Sequence, residues 1–496
     1  MIFFFEPGKT CTIVYNEIKP ETMKKLFRLF TPALITLIAI SFNLGAQVKL
    51  PAIFADNMVL QQQTDAAIWG KAGVNSNVRV STSWNGKSYS ARADKDGNWK
   101  TKVSTPSAGG PYTVTISESN TIVIKNVLIG EVWVCSGQSN MEMTMKGYRN
   151  QPVNGANEYI ATSSNNQIRC ITIPRTMSQT PLDNLKGEWK TCEPENVVDF
   201  SATGYFFGLM LNKVLKVPVG LICTSWGGTR IEPWISEAGL KRFDWVKVPD
   251  KTQPLTGMNT QQTPTVLFNA MINPIVGYGI KGAIWYQGEA NRNEPAQYQQ
   301  LLPGLVENWR SVWNVGDFSF YYVQIAPYDY GPTGLNSAFL REAQLKASTL
   351  IPNIGMACVM DTGEKDIIHP SNKKATGDRL AYQALVKTYG KKGIVCDGPV
   401  FKEMKVEGSI ARLTFDNAPN GLIDLGRELS CFEAAGANKR FYPAKAFVTN
   451  AGITLFCPSV GEIVAVRYAF KDFIVGDLFN NEGLPASSFR TDAWDN

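Results

Sequence analysis

The chain reads Gly130-Glu-Val-Trp-Val-Cys-Ser-Gly-Gln-Ser-Asn-Met-Glu-Met143 at the point where an apolar run becomes a polar turn. The β-branched and aromatic residues of the first half predict a buried strand, and the Gly-Gln-Ser-Asn segment predicts a turn. A serine that follows a strand and precedes a helix lies where open α/β sheets bind their ligands. Ser139 is therefore the first candidate functional residue.

Outward from this stretch, predicted strands alternate with predicted helices. Strands are expected at 219–224, 282–286, 318–325 and 354–360, and helices at 203–215, 296–313, 337–349 and 373–389. This alternation is typical of a mainly parallel sheet covered by helices on both faces, with right-handed crossovers. The fold class predicted from the pattern is α/β.

Shorter alternating runs flank this region on both sides. Before it, turn signals such as Asn85-Gly86, Asp96-Gly97 and Gly109-Gly110-Pro111 separate short strands, which predicts a small β-sandwich. From Gly398 onward, short strands between turn residues predict a second β-module. The predicted organisation is an extension with a signal peptide at 1–46, a β-module at 47–126, a catalytic domain at 127–395 and a β-module at 396–496.

Composition excludes several classes of function. The chain of 496 residues is 44% hydrophobic and 19% charged, which is globular, and its net charge of +6 carries no basic patch of a nucleic-acid-binding protein. Met23-Lys24-Lys25, a 13-residue apolar run over 30–42 and Leu44-Gly45-Ala46 predict a cleavable signal. A membrane anchor is the competing interpretation, but the run is shorter than the ~18 residues of a spanning helix. The expected location is periplasmic or extracellular, without stable membrane insertion.

Neither the cysteines nor the histidine predicts a metal. Eight cysteines follow the predicted signal, and none forms a CxxC pair of the kind that binds zinc. Cys170 with Cys192 is the one disulfide pairing worth testing. The chain has one histidine, which argues against a histidine-rich metal site. We expect no metal and no cofactor.

That histidine, His369, is the candidate base for Ser139. A serine nucleophile near neutral pH needs a base whose pKa is close to the working pH, and histidine is the usual choice. His369 follows a predicted strand, and Asp366 precedes it by three residues, so its carboxylate could orient the ring and fix the tautomer. Asp361 and Glu364 in the same loop are the competing orienters.

Attack on an ester also requires preplaced N–H donors for the oxyanion. The Ser139 amide is one candidate. Gly228, in the turn Ser225-Trp-Gly-Gly-Thr229, could bring a bare amide close, and Gln287 after the strand at 282–286 could offer a side-chain amide. All of these residues follow strands of one alternating unit.

Several motifs follow one another along the chain. The main ones are Gly-Gln-Ser-Asn-Met at 137–141, Ser-Trp-Gly-Gly-Thr-Arg-Ile-Glu-Pro-Trp at 225–234, Ile-Trp-Tyr-Gln-Gly-Glu-Ala-Asn at 284–291 and Asp-Ile-Ile-His-Pro at 366–370, with shorter ones at 268–274, 340–344, 483–486 and 489–492. In this order they resemble the motifs of the sialate O-acetylesterase family of the SGNH (GDSL-type) hydrolases. The resemblance covers roughly residues 50 to 494.

The resemblance implies an SGNH-type three-layer α/β/α core and a serine esterase that removes O-acetyl groups from sugars without a metal. It makes Ser139 the nucleophile, His369 the general base and Asp366 its orienter, with Gly228 as the oxyanion glycine. Generic SGNH enzymes carry an oxyanion asparagine in a Gly-x-Asn-Asp block, which here reads Trp-Tyr-Gln-Gly. Gln287 would therefore substitute for it, and Asn291 is the alternative.

The substrate expected from the resemblance is an O-acetylated sialic acid. Arg230 could pair with its carboxylate through a planar guanidinium, although a solvated or structural arginine is the interpretation that we favour slightly. Two other functions remain open: an acetylesterase for plant polysaccharide such as xylan, and a glycan-binding protein with an inactive hydrolase core. The expected partner is an O-acetylated sugar or glycan and not nucleic acid, and the sequence does not predict the oligomeric state.

Overall fold

The computed structural model describes residues 47–331 and 334–494. The predicted extension and signal peptide at 1–46 lie outside them. The chain from Val48 onward forms one compact unit. Within the described ranges no helix is long and apolar enough to cross a membrane.

The secondary structure alternates most regularly in the middle of the chain. The first seven strands are β1 Val59–Gln61, β2 Asp65–Lys71, β3 Asn77–Thr82, β4 Ser88–Arg92, β5 Asn98–Ser104, β6 Gly109–Ser117 and β7 Thr121–Gly137. The next six are β8 Asn165–Thr172, β9 Trp189–Cys192, β10 Val219–Ser225, β11 Gly282–Tyr286, β12 Ser319–Val323 and β13 Ile354–Ala357. The α-helices are α1 Ser139–Glu142, α2 Ala156–Ala161, α3 Pro194–Val197, α4 Ala202–Leu215, α5 Glu237–Leu240, α6 Pro295–Trp313, α7 Asn336–Ala347 and α8 Lys373–Gln383.

Short strands return after the last helix. They are β14 Val400–Glu407, β15 Ile410–Asp416, β16 Leu422–Ile423, β17 Phe432–Ala435, β18 Phe441–Pro443, β19 Lys445–Thr449, β20 Gly452–Phe456, β21 Ala465–Tyr468, β22 Phe479–Asn480 and β23 Phe489–Arg490. They pair in small sheets of their own, of which the larger two have the orders β14-β15-β20-β19 and β18-β17-β21-β23.

The central sheet has the strand order β13-β12-β11-β7-β10-β8-β9. Neighbouring strands are parallel from β13 to β8, and only β9 at the edge is antiparallel. Gly137 at the end of β7 is in register with Ser225 on β10 and with Tyr286 on β11. The segments that follow these three strands therefore leave the sheet at the same level.

Both faces of this sheet are buried, as the alternation of side chains along β7 shows. Val132 and Val134 belong to one hydrophobic cluster, which α6 and α7 cover. Trp133 and Cys135 point to the opposite face and pack in a second cluster beneath α4 and α8. Successive residues of a strand point to opposite faces, so a strand apolar at every position requires cover on both sides.

Strand β7 is unusually long, with 17 residues. Its first part pairs with β1 and β6, and its second part pairs with β10 and β11. The predicted boundary between residues 126 and 127 falls inside this single strand.

The prediction of an α/β fold with additional β-sheets agrees with the structure. The large sheet as a whole is mixed and not simply parallel, because β7 carries antiparallel pairing to β6 into it. Strands β8 and β9 were not predicted, since polar residues interrupt their apolar pattern. The Cys170–Cys192 pairing named above as worth testing is not formed: both are free thiols, and the Cys170 sulfur lies 3.4 Å from that of Cys223.

Candidate active site

Ser139 lies directly beyond the end of β7. It is the first residue of the one-turn helix α1, and its side chain is half-buried. The Gln138 amide donates to the Tyr286 carbonyl at 2.9 Å, and the Met143 amide donates to the Ser139 carbonyl at 2.8 Å. These bonds tie the serine to the end of β11 and to its own helical turn.

His369 lies in the loop between β13 and α8, and a hydrogen bond ties that loop to the serine turn. The Asn140 side-chain amide, next to Ser139, donates to the Ile368 carbonyl, next to His369, at 3.1 Å. The ring of Tyr148 packs edge-on against the imidazole, with centroids 5.1 Å apart. Nε2 of His369 is buried and has no hydrogen-bond partner among the described residues. The structure therefore brings the loop of the predicted base to the turn of the predicted nucleophile.

Asp366 forms no hydrogen bond or ion pair with the imidazole in the part of the chain that the structure describes. It is exposed. Nδ1 of His369 instead lies 2.5 Å from Oε1 of Gln151. Nothing in the sequence pattern marked Gln151, which is 218 positions from His369. The role predicted for Asp366 stays a prediction.

The two other carboxylates of the histidine loop are engaged elsewhere. Asp361 forms a two-pronged ion pair with Arg379, at 2.6 and 2.7 Å. Glu364 accepts from the backbone and the hydroxyl of Ser371, at 2.7 and 2.6 Å. The first pair joins the loop to the middle of α8, and the second joins it to the residues just before that helix.

A buried polar network lies behind the serine turn. The Lys373 ammonium donates to Oδ1 of Asn140, and Nδ2 of Asn140 donates to Oε1 of Glu289 at 2.7 Å. Burial raises the pKa of Glu289 and lowers that of Lys373 to about 7. Burial, with a smaller contribution from the Lys373 charge, lowers the pKa of His369 to about 4. The imidazole is therefore neutral at pH 7, as a general base must be.

The double glycine after β10 lies beside the serine. A Cβ added to Gly227 would be 3.1 Å from the Ser139 Cβ, and the Gly227 amide donates to Oε2 of Glu142 at 2.8 Å. Gly228 is exposed with φ of 71°, and its amide makes no hydrogen bond to any residue that the structure describes. Gly228 thus presents an unused N–H one residue beyond the glycine that lies beside Ser139.

Gln287 and Asn291 are both fully buried and bonded to one another. Nε2 of Gln287 donates to the Thr229 carbonyl at 3.1 Å and to Oδ1 of Asn291 at 2.8 Å, which uses both of its N–H groups. Nδ2 of Asn291 donates to Oε2 of Glu232 at 3.1 Å. In this arrangement the two amides fix the loop that carries Gly228, and the oxyanion role of either side chain stays a prediction.

Arg230 is paired with carboxylates of the protein itself. Its Nη2 lies 2.8 Å from Oε1 of Glu232, and its Nη1 lies 3.1 Å from Oε2 of Glu294. A guanidinium that already donates to two carboxylates is poorly placed to bind the carboxylate of a substrate, so these contacts favour a structural role for Arg230.

A second arginine, which no sequence motif marked, contacts the serine turn through Glu142. Arg175 forms a two-pronged ion pair with Glu142, at 2.5 and 2.7 Å, and its guanidinium lies over the ring of Trp226 at 5.9 Å. Glu142 stands three residues after Ser139 in the same helical turn. A carboxylate so close to the predicted nucleophile was the one feature of the sequence that could have indicated a nearby cation such as Arg175.

No group of three or more His, Cys, Asp or Glu side chains is placed to hold a metal ion in the described part of the chain.

These features describe an α/β protein in which the serine turn and the histidine loop are hydrogen-bonded to each other at the carboxyl end of the sheet, and the comparisons with known proteins identify it as a carbohydrate esterase. Residues 129–386 match the family model described as carbohydrate esterase, sialic acid-specific acetylesterase. The chain belongs to this family.

Similar proteins match along most of their length. Sialate O-acetylesterase of Mus musculus is 28% identical over 505 residues, which cover 89% of this chain and 93% of the mouse protein. The Pongo abelii sialate O-acetylesterase is 30% identical, covering 86% of this chain and 88% of its own length. The crystal structure of a carbohydrate acetylesterase from Xanthomonas citri has a TM-score of 0.82 and 34% identity, and covers 90% of this chain and 100% of that one.

Proposed function

We propose that the protein hydrolyses O-acetyl esters of sialic acids with Ser139 as nucleophile and His369 as general base. The observation that carries the proposal is the meeting of the two loops, in which the neighbour of Ser139 hydrogen-bonds the residue before His369 while Nε2 stays unpartnered. The names of the relatives in mouse and orangutan support the choice of sialic acid.

The chemistry follows from the protonation state of the base. Nε2 takes the proton of the Ser139 hydroxyl as its oxygen attacks the acetyl carbonyl, and the imidazolium then protonates the departing sugar oxygen. Water hydrolyses the acetyl-enzyme by the same base and releases acetate. The unused amide of Gly228, with that of Ser139, is the proposed oxyanion site. An SGNH-type three-layer core and export by the signal peptide are part of the same proposal.

A second candidate substrate has a specific observation in its favour. The contacts of Arg230 with Glu232 and Glu294 leave the predicted partner of a sialic acid carboxylate occupied. The Xanthomonas citri relative is called a carbohydrate acetylesterase, with no sugar specified. An acetylated plant polysaccharide such as xylan is therefore the alternative. A glycan-binding protein with an inactive core is the third candidate, which the presence of Ser139 and His369 disfavours.

Acetate release decides between these functions. Wild type, Ser139→Ala and the control Ser107→Ala, an exposed loop serine, are compared on O-acetylated sialic acid and on acetylated xylooligosaccharides. We expect release from the sialate by wild type and control, and a loss of at least ~10³-fold with Ser139→Ala. Release only from xylooligosaccharides moves the proposal to the alternative substrate, and no release from either supports a binding protein.

A further inference from the structure

The hydrogen-bond acceptor on the imidazole is an uncharged amide, in a fold whose predicted orienter is a carboxylate. Nδ1 of His369 lies 2.5 Å from Oε1 of Gln151. Because an amide oxygen can only accept a hydrogen bond, this contact requires the proton to be on Nδ1. The bond leaves the lone pair on Nε2, which is buried and has no partner in the described chain. This is the tautomer that a base for Ser139 requires.

A tight turn at residues 147–151 holds Gln151 in place. Tyr148 and Gln151 exchange both backbone hydrogen bonds, at 2.9 and 3.0 Å, across Arg149 and Asn150. Asn150 has φ of 59°, a left-handed conformation that asparagine tolerates. Gly147 has φ of 76°, and a Cβ on it would lie 2.5 Å from the Gln151 carbonyl oxygen. The two ends of this turn therefore contact one imidazole, Tyr148 by its ring and Gln151 by its amide.

We infer that Gln151 is the positioning residue for His369, so that Ser139 and His369 work as a dyad whose base is oriented by a neutral amide. The inference rests on the proposed function of Ser139 and His369, and it replaces the role predicted for Asp366. Because an amide carries no charge, it selects the tautomer without the ion pair by which a carboxylate would stabilise the imidazolium.

The charged and titratable groups around the imidazole come from six parts of the chain. Lys373 on α8 is the charge that acts on it, and it disfavours protonation. The remaining groups are Glu364, Lys365 and Asp366 on its own loop, Tyr148 and Arg149 on the turn, Glu142 behind Tyr148 with its partner Arg175, and Glu289 behind Asn140. None of these carboxylates forms a hydrogen bond to the ring in the described structure.

The test uses the fact that the chain has one histidine, so its ring can be observed alone. The imidazole of ¹⁵N-histidine-labelled full-length protein is titrated by NMR in wild type, Gln151→Glu, Gln151→Leu and Asp366→Asn. Gln300→Glu, at an exposed glutamine on α6, is the control for an added charge. Gln151→Glu is nearly isosteric and places a carboxylate on Nδ1, so the imidazole pKa should rise by about 1–3 pH units. Gln300→Glu should leave it in place.

Kinetics on an acetyl ester complete the experiment. Gln151→Leu should lower kcat at least ~10-fold with little change in KM, because the tautomer is no longer selected. The acidic limb of the Gln151→Glu rate profile should move up with the NMR pKa. The inference is overturned if Gln151→Glu leaves the imidazole pKa unchanged, or if Asp366→Asn lowers it by a unit or more.

The two proposals fail separately. If the NMR titration shifts as expected but no acetate is released by wild type, the positioning role stands and the esterase proposal fails. If Ser139→Ala abolishes acetate release while neither Gln151 variant changes the ring titration or kcat, the esterase stands without this dyad. Thermal melts of every variant separate misfolding from either result.

Discussion

At the scale of single residues, His369 is defined by what surrounds it. A half-buried imidazole beside a buried ammonium binds protons weakly, since desolvation and the like charge both favour the neutral ring. This environment keeps the imidazole unprotonated at neutral pH, so the ring can act as a base there. It takes up a proton from solvent only at low pH.

The first prediction is an unusually acidic lower limb of the pH–rate profile. The pKa of His369 is lowered from 6.5 to about 4, so kcat/KM should stay level as the pH falls through 6.5 and drop only near pH 4. The measurement is kcat/KM from pH 3 to 8, with circular dichroism to exclude acid unfolding. A limb centred near pH 6.5 would contradict the burial of the imidazole.

The second prediction concerns Lys373. Lys373→Met removes the donor to Oδ1 of Asn140 and the charge beside His369. The free energy of unfolding should fall by about 1–3 kcal/mol, because a buried acceptor loses its partner. The acidic limb should move to higher pH, because a like charge is gone.

The matched control is Lys374→Met, whose ammonium pairs with Asp378 one turn along the same helix and is partly exposed. Denaturant unfolding and the rate profile are measured for both variants. Equal losses of stability in the two variants, or a limb that does not move in Lys373→Met, would show that the buried network has no such role.

At the scale of elements, the turn at 147–151 and the ends of three strands assemble the site. The strand ends were predictable, because apolar runs that stop at polar turns mark the carboxyl edge of a parallel sheet. The predicted strand at 282–286 matches β11 residue for residue. Gln151 could not be found in this way, since the turn that carries it is polar, irregular and far in sequence from the histidine that it contacts.

The predicted roles of Gln287 and Asn291 show the same limit. The sequence pattern places both residues just after β11, which agrees with the structure. It could not show that the amide of Gln287 donates to Thr229 and Asn291, or that the amide of Asn291 donates to Glu232. Hydrogen-bond saturation depends on contacts between loops, and such contacts leave no periodicity in the chain.

The third prediction tests the turn itself. In Gly147→Ala the new methyl would meet the Gln151 carbonyl, whereas at Gly86, with a similar φ of 66°, it would meet nothing within 4 Å. Gly147→Ala should therefore cost about 1–3 kcal/mol more stability than Gly86→Ala, and only Gly147→Ala should lower kcat. Thermal melts and steady-state kinetics of the two variants provide the comparison. Indistinguishable variants would mean that the turn adjusts freely.

At the scale of the whole molecule, the late β-strands are joined to the catalytic core by buried polar contacts. Arg341 on α7 is fully buried, and its guanidinium donates to Ser337 on its own helix, to Ser488 and to the carbonyl of Lys471. Met360, just after β13, packs in the same hydrophobic cluster as strands beyond residue 400. The predicted module at 396–496 therefore shares buried surface with the sheet that carries the site.

The fourth prediction is that this junction stabilises the whole chain. Arg341→Met should lower the free energy of unfolding by about 1–3 kcal/mol, because buried acceptors lose their donor. Arg242→Met, at an exposed ion pair with Glu307, should change it by less than ~0.5 kcal/mol. Calorimetry should show one unfolding transition in both variants. Two separated transitions in Arg341→Met would indicate that the C-terminal strands unfold independently.

Strand β7 has a mechanical consequence. One unbroken backbone is hydrogen-bonded to β6 near its start and to β10 and β11 where it ends, two residues before Ser139. The carboxylate of Glu131, in the middle of the strand, accepts hydrogen bonds from the side-chain amide of Gln62 and from the hydroxyl of Tyr389. Because one continuous strand belongs to both regions, we expect the N-terminal strands to move together with the sheet that carries the nucleophile and not as a separate domain about a hinge. We therefore expect any movement that admits a substrate to be confined to the loops at the carboxyl edge of the sheet.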